Sequence, residues 1–305
     1  MTHDNVDDTP RILARIPAIQ TAEPTQLGIL ADPHLAAQAS GTWKCYHRTE
    51  TFLRRAVDGV QSITPDRTLV VGDLTKDGEA SNFNRYDELV SPLSEPLTIP
   101  GNHDVPKEYV DHDVMAVAEF ADRYNENGYP FRQQVGGVDV FCLNSATMPD
   151  DSLRDTWGGR VSQAQLEWLA SELSNATLPV VAVHHNIFHQ PEHAGGFWTN
   201  FVLKNSGELV DVLAAHSPVL VISGHHHLPS HQQERGIHEI VAPALCSYPP
   251  SYLIVETGPD GTLVRRVPVT TPAEQTEAYT LGATGKELGQ EVVELAATRT
   301  DAERL

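Results

Sequence analysis

Five short apolar segments of this chain each end in side chains that can bind a metal ion. The segments are residues 26–31, 68–71, 97–99, 178–183 and 219–223. Their length and their content of Val, Leu and Ile are typical of strands buried in a sheet. The side chains that follow them are Asp32, His34, Asp73, Asn102, His103, His184, His225 and His227. Because ligand sites in open α/β sheets lie outside the carboxyl ends of strands, this pattern predicts one shared site.

Helical spacing between these segments predicts an α/β fold. Apolar residues recur at intervals of three and four in residues 49–62, 81–90, 114–124, 162–173 and 209–215. Strands that alternate with helices in this way indicate a sheet covered by helices. We expect one domain over residues 25–269. We expect residues 1–24 to form a mobile leader with a short ordered piece at 12–19, and residues 270–305 to form an acidic, partly helical tail. A frayed tail is the preferred interpretation, and a docking helix or a homo-oligomer contact is the alternative.

The charge balance argues against two classes of partner. The chain has 41 acidic and 21 basic residues, a formal net charge of −20, and its five lysines are at positions 44, 76, 107, 204 and 286. This composition argues against a basic nucleic-acid binder and against a polybasic membrane-surface protein. An acid excess with few lysines also favours a halophilic protein, because concentrated salt screens the self-repulsion. The alternative is an ordinary acidic protein, and molar salt would weaken the argument against nucleic acid.

Targeting and cysteine signals predict a cytoplasmic protein. No apolar run approaches the ~18 residues of a membrane span, and no apolar signal segment is evident near the start of the sequence. Cys45, Cys142 and Cys246 are far apart and form no CxxC pair. We therefore expect free thiols, and neither a disulfide framework nor a thiolate zinc site.

The polar motifs differ in how specific they are when taken alone. Asp32 and His34 have i, i+2 spacing and would face the same way in an extended segment, but an Asp before Pro33 is also an ordinary turn residue. Asp73 follows a glycine that permits close backbone approach, but Gly-Asp is a common start of a loop. The segment 224–227, with His225 and His227 on one side and His226 pointing away, is the most specific.

Taken together, the motifs resemble the calcineurin-like metallophosphoesterase superfamily. The ordered blocks that carry the resemblance are Asp32-x-His34, Gly72-Asp73, Gly101-Asn102-His103-Asp104, His184 and Gly224-His225-x-His227. They extend over roughly residues 26–228. The stretch from Gly72 to Asp104 is most similar to class III cyclic nucleotide phosphodiesterases. The resemblance implies a four-layer α/β/β/α sandwich with a two-metal site at its strand ends.

The resemblance also implies a set of ligands for each of two divalent metal ions. One ion would be bound by Asp32, His34, Asp73 and His227. The other would be bound by Asp73, Asn102, His184 and His225, so that Asp73 bridges them. His184 is preferred to His185 because family members place the ligand directly after the apolar strand, and the doubled histidine leaves that choice open. Nitrogen and oxygen ligands without thiolate suit Mn, Fe, Zn or Co.

In the family pattern His103 is not a ligand but a general acid for the leaving alkoxide. Relatives often carry an orienting acid three residues after the bridging aspartate, where this chain has Lys76. Asp77 takes that role with a shifted loop, or another residue such as Asp104 does. Three segments, residues 43–47, 105–113 and 189–198, are candidates for selecting the substrate.

The predicted function is a dinuclear-metal-dependent phosphodiesterase that acts on a small molecule. A cyclic nucleotide or a glycerophosphodiester would be hydrolysed by in-line attack of a metal-bridging hydroxide. The alternatives are a phosphomonoesterase or DNA nuclease of the same superfamily, and a non-catalytic metal-binding scaffold. A nuclease would need a basic groove or a partner subunit, and the sequence has no cluster of Lys and Arg.

Overall fold

Two six-stranded sheets pack face to face between two layers of helices in the computed structural model of the chain. The structure describes residues 5–108, 110–125, 128–146, 157–193 and 195–302. The strands are β1 (Arg11–Ile16), β2 (Thr25–Leu30), β3 (Arg67–Val71), β4 (Leu97–Ile99), β5 (Phe131–Val135), β6 (Val138–Cys142), β7 (Pro179–Ala182), β8 (Val219–Ser223), β9 (Ser230–Glu234), β10 (Ile237–Val241), β11 (Ser251–Gly258) and β12 (Gly261–Pro268). The helices are α1 (Thr49–Ile63), α2 (Ala80–Val90), α3 (Val117–Tyr124), α4 (Gln163–Leu173), α5 (Ser206–Ala214), α6 (Pro272–Ala283) and α7 (Glu287–Ala302).

Both sheets contain a set of adjacent parallel strands, and these strands bring the candidate site together. The first sheet has the order β1-β12-β11-β2-β3-β4, with β2, β3 and β4 parallel. The second has the order β5-β6-β7-β8-β10-β9, with β6, β7, β8 and β10 parallel. The predicted site residues follow β2, β3 and β4 in one sheet and β7 and β8 in the other.

Three apolar clusters separate the four layers. The middle cluster joins the inner faces of the sheets through residues such as Ile29, Leu69, Val180 and Ile222. A second cluster packs α1, α2, α3, α6 and α7 on the outer face of the first sheet, and a third packs α4 and α5 on the outer face of the second. The expected α/β/β/α sandwich is therefore confirmed. None of the helices in the described part of the chain is long and apolar enough to cross a bilayer.

The N-terminal segment is more regular than the predicted mobile leader. Arg11–Ile16 forms an edge strand antiparallel to β12, and Ile16 and Ile19 are buried. Its sequence, RILARI, lacks the alternation of apolar and polar residues that would indicate a half-buried strand. Backbone pairing with β12 supplies the order that the local sequence does not.

The C-terminal segment consists of two helices rather than a frayed tail. A capping box between Thr271 and Glu274 starts α6, and Arg55 of α1 forms an ion pair with Glu274 at 2.6 Å. Ala278 of α6 and Val293 of α7 are buried in the cluster on the first sheet. The two helices therefore extend the outer layer beyond residue 269. The division of the chain at residues 24 and 269 stays a prediction.

Candidate metal centre

Two groups of buried histidine and aspartate side chains meet where the two sheets end. One group contains Asp32, His34, Asp73 and His227, and the other contains Asp73, His184 and His225. In each group the potential ligand atoms lie within 4.8 Å of one another. Asp73 belongs to both groups, which is the arrangement expected of a carboxylate shared by two cations. Asn102 Oδ1 lies 3.2 Å from His184 Nε2 and adjoins the second group.

The loops that carry these residues adopt strained backbone conformations. Asp32, His34, Asp73, His225 and His227 all have φ between 42° and 64°. They are five of the eight non-glycine residues with positive φ in the described part of the chain. Such left-handed conformations cost energy and persist where the surrounding structure enforces them, which is common at functional sites. Here they turn the side chains inward directly after each strand.

Two glycines allow the loops to approach one another closely. A Cβ on Gly72 would collide with His184 Nδ1 and with the backbone of Gly101, and φ at Gly72 is +93°. A Cβ on Gly101 would collide with the side chain and backbone of Asp73. The predicted close approach at Gly72 is therefore confirmed, and Gly101 serves the same purpose on the neighbouring loop.

The structure distinguishes between the two adjacent histidines after β7. His184 points into the second group, with Nε2 at 3.4 Å from Asp73 Oδ1 and Nδ1 at 2.8 Å from the carbonyl oxygen of Val71. His185 instead turns its Nδ1 toward Ser145 Oγ, at 2.8 Å. His226 faces away from both groups and contacts His193. The geometry thus favours His184 as the ligand.

The side chains within the groups turn several nitrogen and oxygen lone pairs toward one another, and a metal ion fits this arrangement. His34 Nε2 lies 3.2 Å from Asp73 Oδ2 and 3.3 Å from His227 Nε2, and His227 Nε2 lies 3.4 Å from Asp32 Oδ1. Lys44 Nζ lies 3.0 Å from His34 Nε2, but its protons do not reach all of the two facing imidazole nitrogens and the two carboxylates. The buried Nε2 of His225 has no hydrogen-bond partner among the described residues. One divalent cation in each group would accept these lone pairs.

Burial favours the neutral form that histidine ligands need and opposes the ionised form that aspartate ligands need. It lowers the pKa of His34, His225 and His227 well below the ordinary value, so that these imidazoles are neutral. Burial raises the pKa of Asp32 to about 6. Burial would raise the pKa of Asp73 as well, but its interactions with His184, His103 and His34 together outweigh burial and lower that pKa well below the usual range. Burial would lower the pKa of His184, but the adjacent carboxylate of Asp73 outweighs burial and raises that pKa to about 9. A metal ion at Asp73 would therefore compete with the proton on His184.

A third combination of side chains is less suited to a cation. His34 and His227 also lie near Cys246, whose Sγ is 3.8 Å from His227 Nδ1. Burial raises the pKa of that thiol well above the ordinary value, and a thiolate is the form that binds metal. His227 Nδ1 in addition lies 2.9 Å from Ser247 Oγ. The carboxylate-containing groups therefore remain the better ligand set.

His103 lies beside the two groups, and hydrogen bonds within the described residues reach only one of its two ring nitrogens. Its Nδ1 is 2.6 Å from the carbonyl oxygen of Lys76 and 3.2 Å from Asp77 Oδ1, and its ring contacts His34 edge to face. Its Nε2 forms no hydrogen bond with the described residues, and His103 lines the cavity above the groups. Burial opposes ionisation of Asp77, but hydrogen bonds from His103 and Lys76 outweigh it and lower its pKa.

Asp104, the alternative partner of His103, has a different position. Its carboxylate accepts hydrogen bonds from the backbone N–H groups of Leu74, Thr75 and Gly101, each at 3.0 Å. These bonds join the loop after β3 to the loop after β4. Burial raises the pKa of Asp104 to about 7. Of the two acids that the sequence left open, the structure therefore places Asp77 against His103.

A cavity of about 450 Å³ opens above the two groups. Its floor includes Asp73, Asn102, His103, His225 and His227. Its walls are mostly aromatic or apolar and consist of Trp43, Tyr46, Trp157, Phe201 and Leu288, together with Lys44. Of the three segments expected to select the substrate, residues 43–47 contribute to this lining, and Leu288 comes from α7, which the sequence did not connect with the site.

Glu239 is a buried carboxylate that sequence reasoning missed. It lies in the middle of the apolar strand β10 and accepts hydrogen bonds from the backbone N–H groups of Ile187 and Phe188, at 2.8 and 3.0 Å. It also accepts a hydrogen bond from Ser223 Oγ at 2.8 Å. Glu239 thus joins the loop that follows His184 to the strand that precedes His225. A charged residue within a buried strand was the signal that could have revealed it.

We expect Glu239→Ala to lower the free energy of unfolding by about 2–4 kcal/mol, because it leaves buried N–H donors unsatisfied. Glu239→Gln keeps the shape of the side chain and should lower the free energy of unfolding by less than Glu239→Ala does. Burial raises the folded-state pKa of Glu239 to about 7, above its ordinary 4.5. Folding therefore takes up a proton between these values, and wild-type stability should fall relative to Glu239→Gln as pH rises from about 4.5 to 7. Urea unfolding in the presence of a chelator, repeated across this pH range, measures the loss of stability and its dependence on pH. Parallel pH profiles for the wild type and Glu239→Gln would contradict the prediction about pH.

Comparison with known proteins assigns the family. The model of the calcineurin-like phosphoesterase family matches residues 25–229. A protein of Synechococcus named "probable cyclic nucleotide phosphodiesterase" is 29% identical over 213 residues, which cover 68% of this chain and 73% of that protein. The 3′,5′-cyclic adenosine monophosphate phosphodiesterase of Escherichia coli is 24% identical over 264 residues, covering 80% of this chain and 86% of that protein.

Solved structures agree with the fold. The crystal structure of a dimetal phosphatase from Danio rerio superposes with a TM-score of 0.61 at 15% identity, covering 81% of this chain and 96% of that one. A purple acid phosphatase from yellow lupin gives 0.54 at 11% identity, covering 81% of this chain and 51% of that one. The family match spans most of the chain and includes every residue of the two buried groups. The protein belongs to the calcineurin-like phosphoesterase family and is a hydrolase.

Proposed function

We propose that the protein is a dinuclear-metal-dependent phosphodiesterase that acts on a small molecule. The observation that carries the proposal is the sharing of Asp73 by two buried histidine and aspartate groups at the floor of one cavity. The names of the relatives point to cyclic nucleotides, and a glycerophosphodiester is the second substrate that we retain.

One cation would be held by Asp32, His34, Asp73 and His227, and the other by Asp73, Asn102, His184 and His225. Two divalent ions bound there would supply Lewis-acid stabilisation of phosphoryl charge and a nucleophile at neutral pH. The nitrogen and oxygen ligands suit Mn, Fe, Zn or Co. The charge of +4 on two divalent ions exceeds the −2 of Asp32 and Asp73, so the site would attract a phosphate despite the acidic surface.

The residues of the chain itself would handle the leaving group. We assign His103 the role of general acid, because its Nε2 is the ring nitrogen without a protein partner and the side chain lines the cavity. Asp77 and the carbonyl oxygen of Lys76 keep Nδ1 protonated and fix the orientation of the ring. Asp77 is thus a positioning residue, and Asp104 holds the two loops together.

The size and lining of the cavity favour a small substrate. About 450 Å³ lies within the range of small-molecule pockets. Its aromatic walls suit the planar or apolar part of such a molecule, and the phosphoester would lie on the polar floor. The predictions of a halophilic protein and of a cytoplasmic location come from composition, and they stay predictions.

The test of the proposal is metal-dependent hydrolysis of bis(p-nitrophenyl) phosphate. We expect turnover with Mn²⁺, loss of activity to background after chelation, and recovery when Mn²⁺ is restored. Assays from low to molar KCl test the salt prediction at the same time. A panel of cyclic nucleotides, glycerophosphodiesters and phosphomonoesters then ranks the natural substrate class.

Four results would contradict parts of the proposal. A folded protein with no metal-dependent turnover would indicate the non-catalytic scaffold. A preference for monoesters would indicate a phosphatase, and cleavage of DNA in preference to small diesters would indicate a nuclease. Binding of only one metal ion per chain, measured by elemental analysis of the fully active protein, would contradict the dinuclear assignment.

A further inference from the structure

Lys44 is a buried lysine at the edge of the candidate metal centre. Its side chain lines the cavity, the residue is only 8% exposed, and its Nζ lies 3.0 Å from His34 Nε2. It forms no ion pair with any carboxylate in the described part of the chain. The charge of Asp32 acts on it from a distance, but its direct contact is an imidazole, and an anion bound in the cavity would offset the cost of burying the ammonium.

The other two lysines near the site are already engaged. Lys76 Nζ pairs with Asp77 Oδ2 at 2.5 Å. Lys107 Nζ donates to the carbonyl oxygens of His103 and Val105, at 2.8 and 3.2 Å. Lys44 thus lines the cavity, while Lys76 and Lys107 contact Asp77 and His103 beside it. Among them, Lys44 is the one whose charged end has no oxygen partner among the described residues.

The backbone of Lys44 is fixed to the segment that supports His227. Lys44 forms a β-bridge with Ser247, and the N–H of Cys45 donates to the carbonyl oxygen of Cys246 at 2.6 Å. The ring of Trp43 packs on the ring of His227, with centroids 5.2 Å apart. The position of the ammonium is therefore set by the same elements that set the candidate ligands.

We propose that Lys44 is a substrate-binding residue that donates a hydrogen bond to a non-bridging phosphoryl oxygen. This inference rests on the proposed function and names a further contact within its site. A cation bound by His34 would take the nitrogen that Nζ now contacts, so the ammonium would turn toward the cavity that its side chain lines, within reach of a phosphoryl group there. A lysine provides a compact charge with three donors, which suits the oxygens of a phosphate.

The experiment is calorimetric titration of inorganic phosphate into the Mn²⁺-loaded protein. We expect Lys44→Met to weaken phosphate binding by about tenfold or more, the usual range for a hydrogen bond to a charged group. Lys286→Met removes the same charge from an exposed position outside the cavity lining, and it should change the affinity less than about twofold. With bis(p-nitrophenyl) phosphate, Lys44→Met should raise KM by a similar factor.

Metal content distinguishes this role from a structural one. Elemental analysis should find the same metal per chain in Lys44→Met and in the wild type. Unchanged phosphate affinity in Lys44→Met, or a loss of affinity matched by a loss of metal, would overturn the proposal, as would failure of the wild type to bind phosphate. If Lys44→Met does not fold, Lys44→Arg provides the test, because a displaced charge should weaken binding by about threefold or more. Phosphate affinity is measured without turnover, so failure of this inference and failure of the proposed function give different results.

Discussion

Replacing Asp73 by asparagine is expected to remove both bound cations and to lower kcat by roughly 10³-fold or more. The reason is that the carboxylate of Asp73 belongs to both buried groups. It lies 3.2 Å from His34 Nε2 through one oxygen and 3.4 Å from His184 Nε2 through the other. An amide has a single oxygen and no charge, so it cannot serve two cations.

Substitution by asparagine tests the charge of Asp73 separately from the backbone conformation of this residue. Asp73 has φ of 53°, a left-handed conformation that asparagine tolerates better than most residues. Asparagine also keeps an oxygen for the hydrogen bond that the N–H of His103 donates to Asp73 Oδ1 at 2.8 Å. The substitution therefore leaves the loop in place while it removes the shared ligand.

Asp32→Asn is the matched comparison. Asp32 is equally buried and has φ of 47°, but it belongs to one group only. We expect this variant to lose one cation and to keep the other. Elemental analysis and kcat on bis(p-nitrophenyl) phosphate measure both variants, and circular dichroism checks that they fold. Equal metal content in Asp73→Asn and Asp32→Asn would contradict the shared position of Asp73.

The location of the site could be predicted from sequence because each site residue directly follows a strand. The apolar runs before Asp32, Asp73 and His184 were long enough to indicate buried strands, and parallel strands bring their carboxyl ends to one edge. The pattern did not show that these strands belong to two different sheets. That follows from long-range pairing, such as that of β2 with β11, which no local periodicity encodes.

The residues that sequence reasoning missed depend on contacts between distant segments. Glu239 has a role only because β10 lies beside β8 and faces the loop after β7. Leu288 enters the cavity because α7 packs over the first sheet. Strands β5 and β9 have polar edge sequences, FRQQV and SHQQE, and are ordered by backbone pairing rather than by an apolar pattern.

We expect His103→Ala to keep its metal ions and to lose activity in proportion to the difficulty of the leaving group. A general acid contributes about 10²–10⁴ in rate where the leaving group needs a proton. A ribose or glycerol alkoxide needs one, whereas p-nitrophenolate is stable without it. The loss in kcat should therefore reach about 10²-fold or more on a cyclic nucleotide or glycerophosphodiester. It should stay below about tenfold on bis(p-nitrophenyl) phosphate.

Two neighbouring acids provide the controls for this assignment. Asp77→Asn removes the charge beside His103 Nδ1 but leaves the carbonyl oxygen of Lys76, at 2.6 Å, as an acceptor. We expect a smaller loss with the same dependence on the leaving group, because the ring is less firmly oriented. Asp104→Asn disturbs bonds to Leu74, Thr75 and Gly101, so it should lower stability without changing that dependence.

The dependence on the leaving group separates proton donation from simple support of the site. If the ring of His103 only packed against His34, its removal would slow hydrolysis of every substrate by the same factor. Plotting the logarithm of kcat against the pKa of the leaving group for a series of substituted aryl diesters measures this directly. A general acid flattens that plot in the wild type, and His103→Ala should make it steeper. Parallel plots for the two proteins would exclude His103 as the proton donor and would leave the metal centre without an assigned acid.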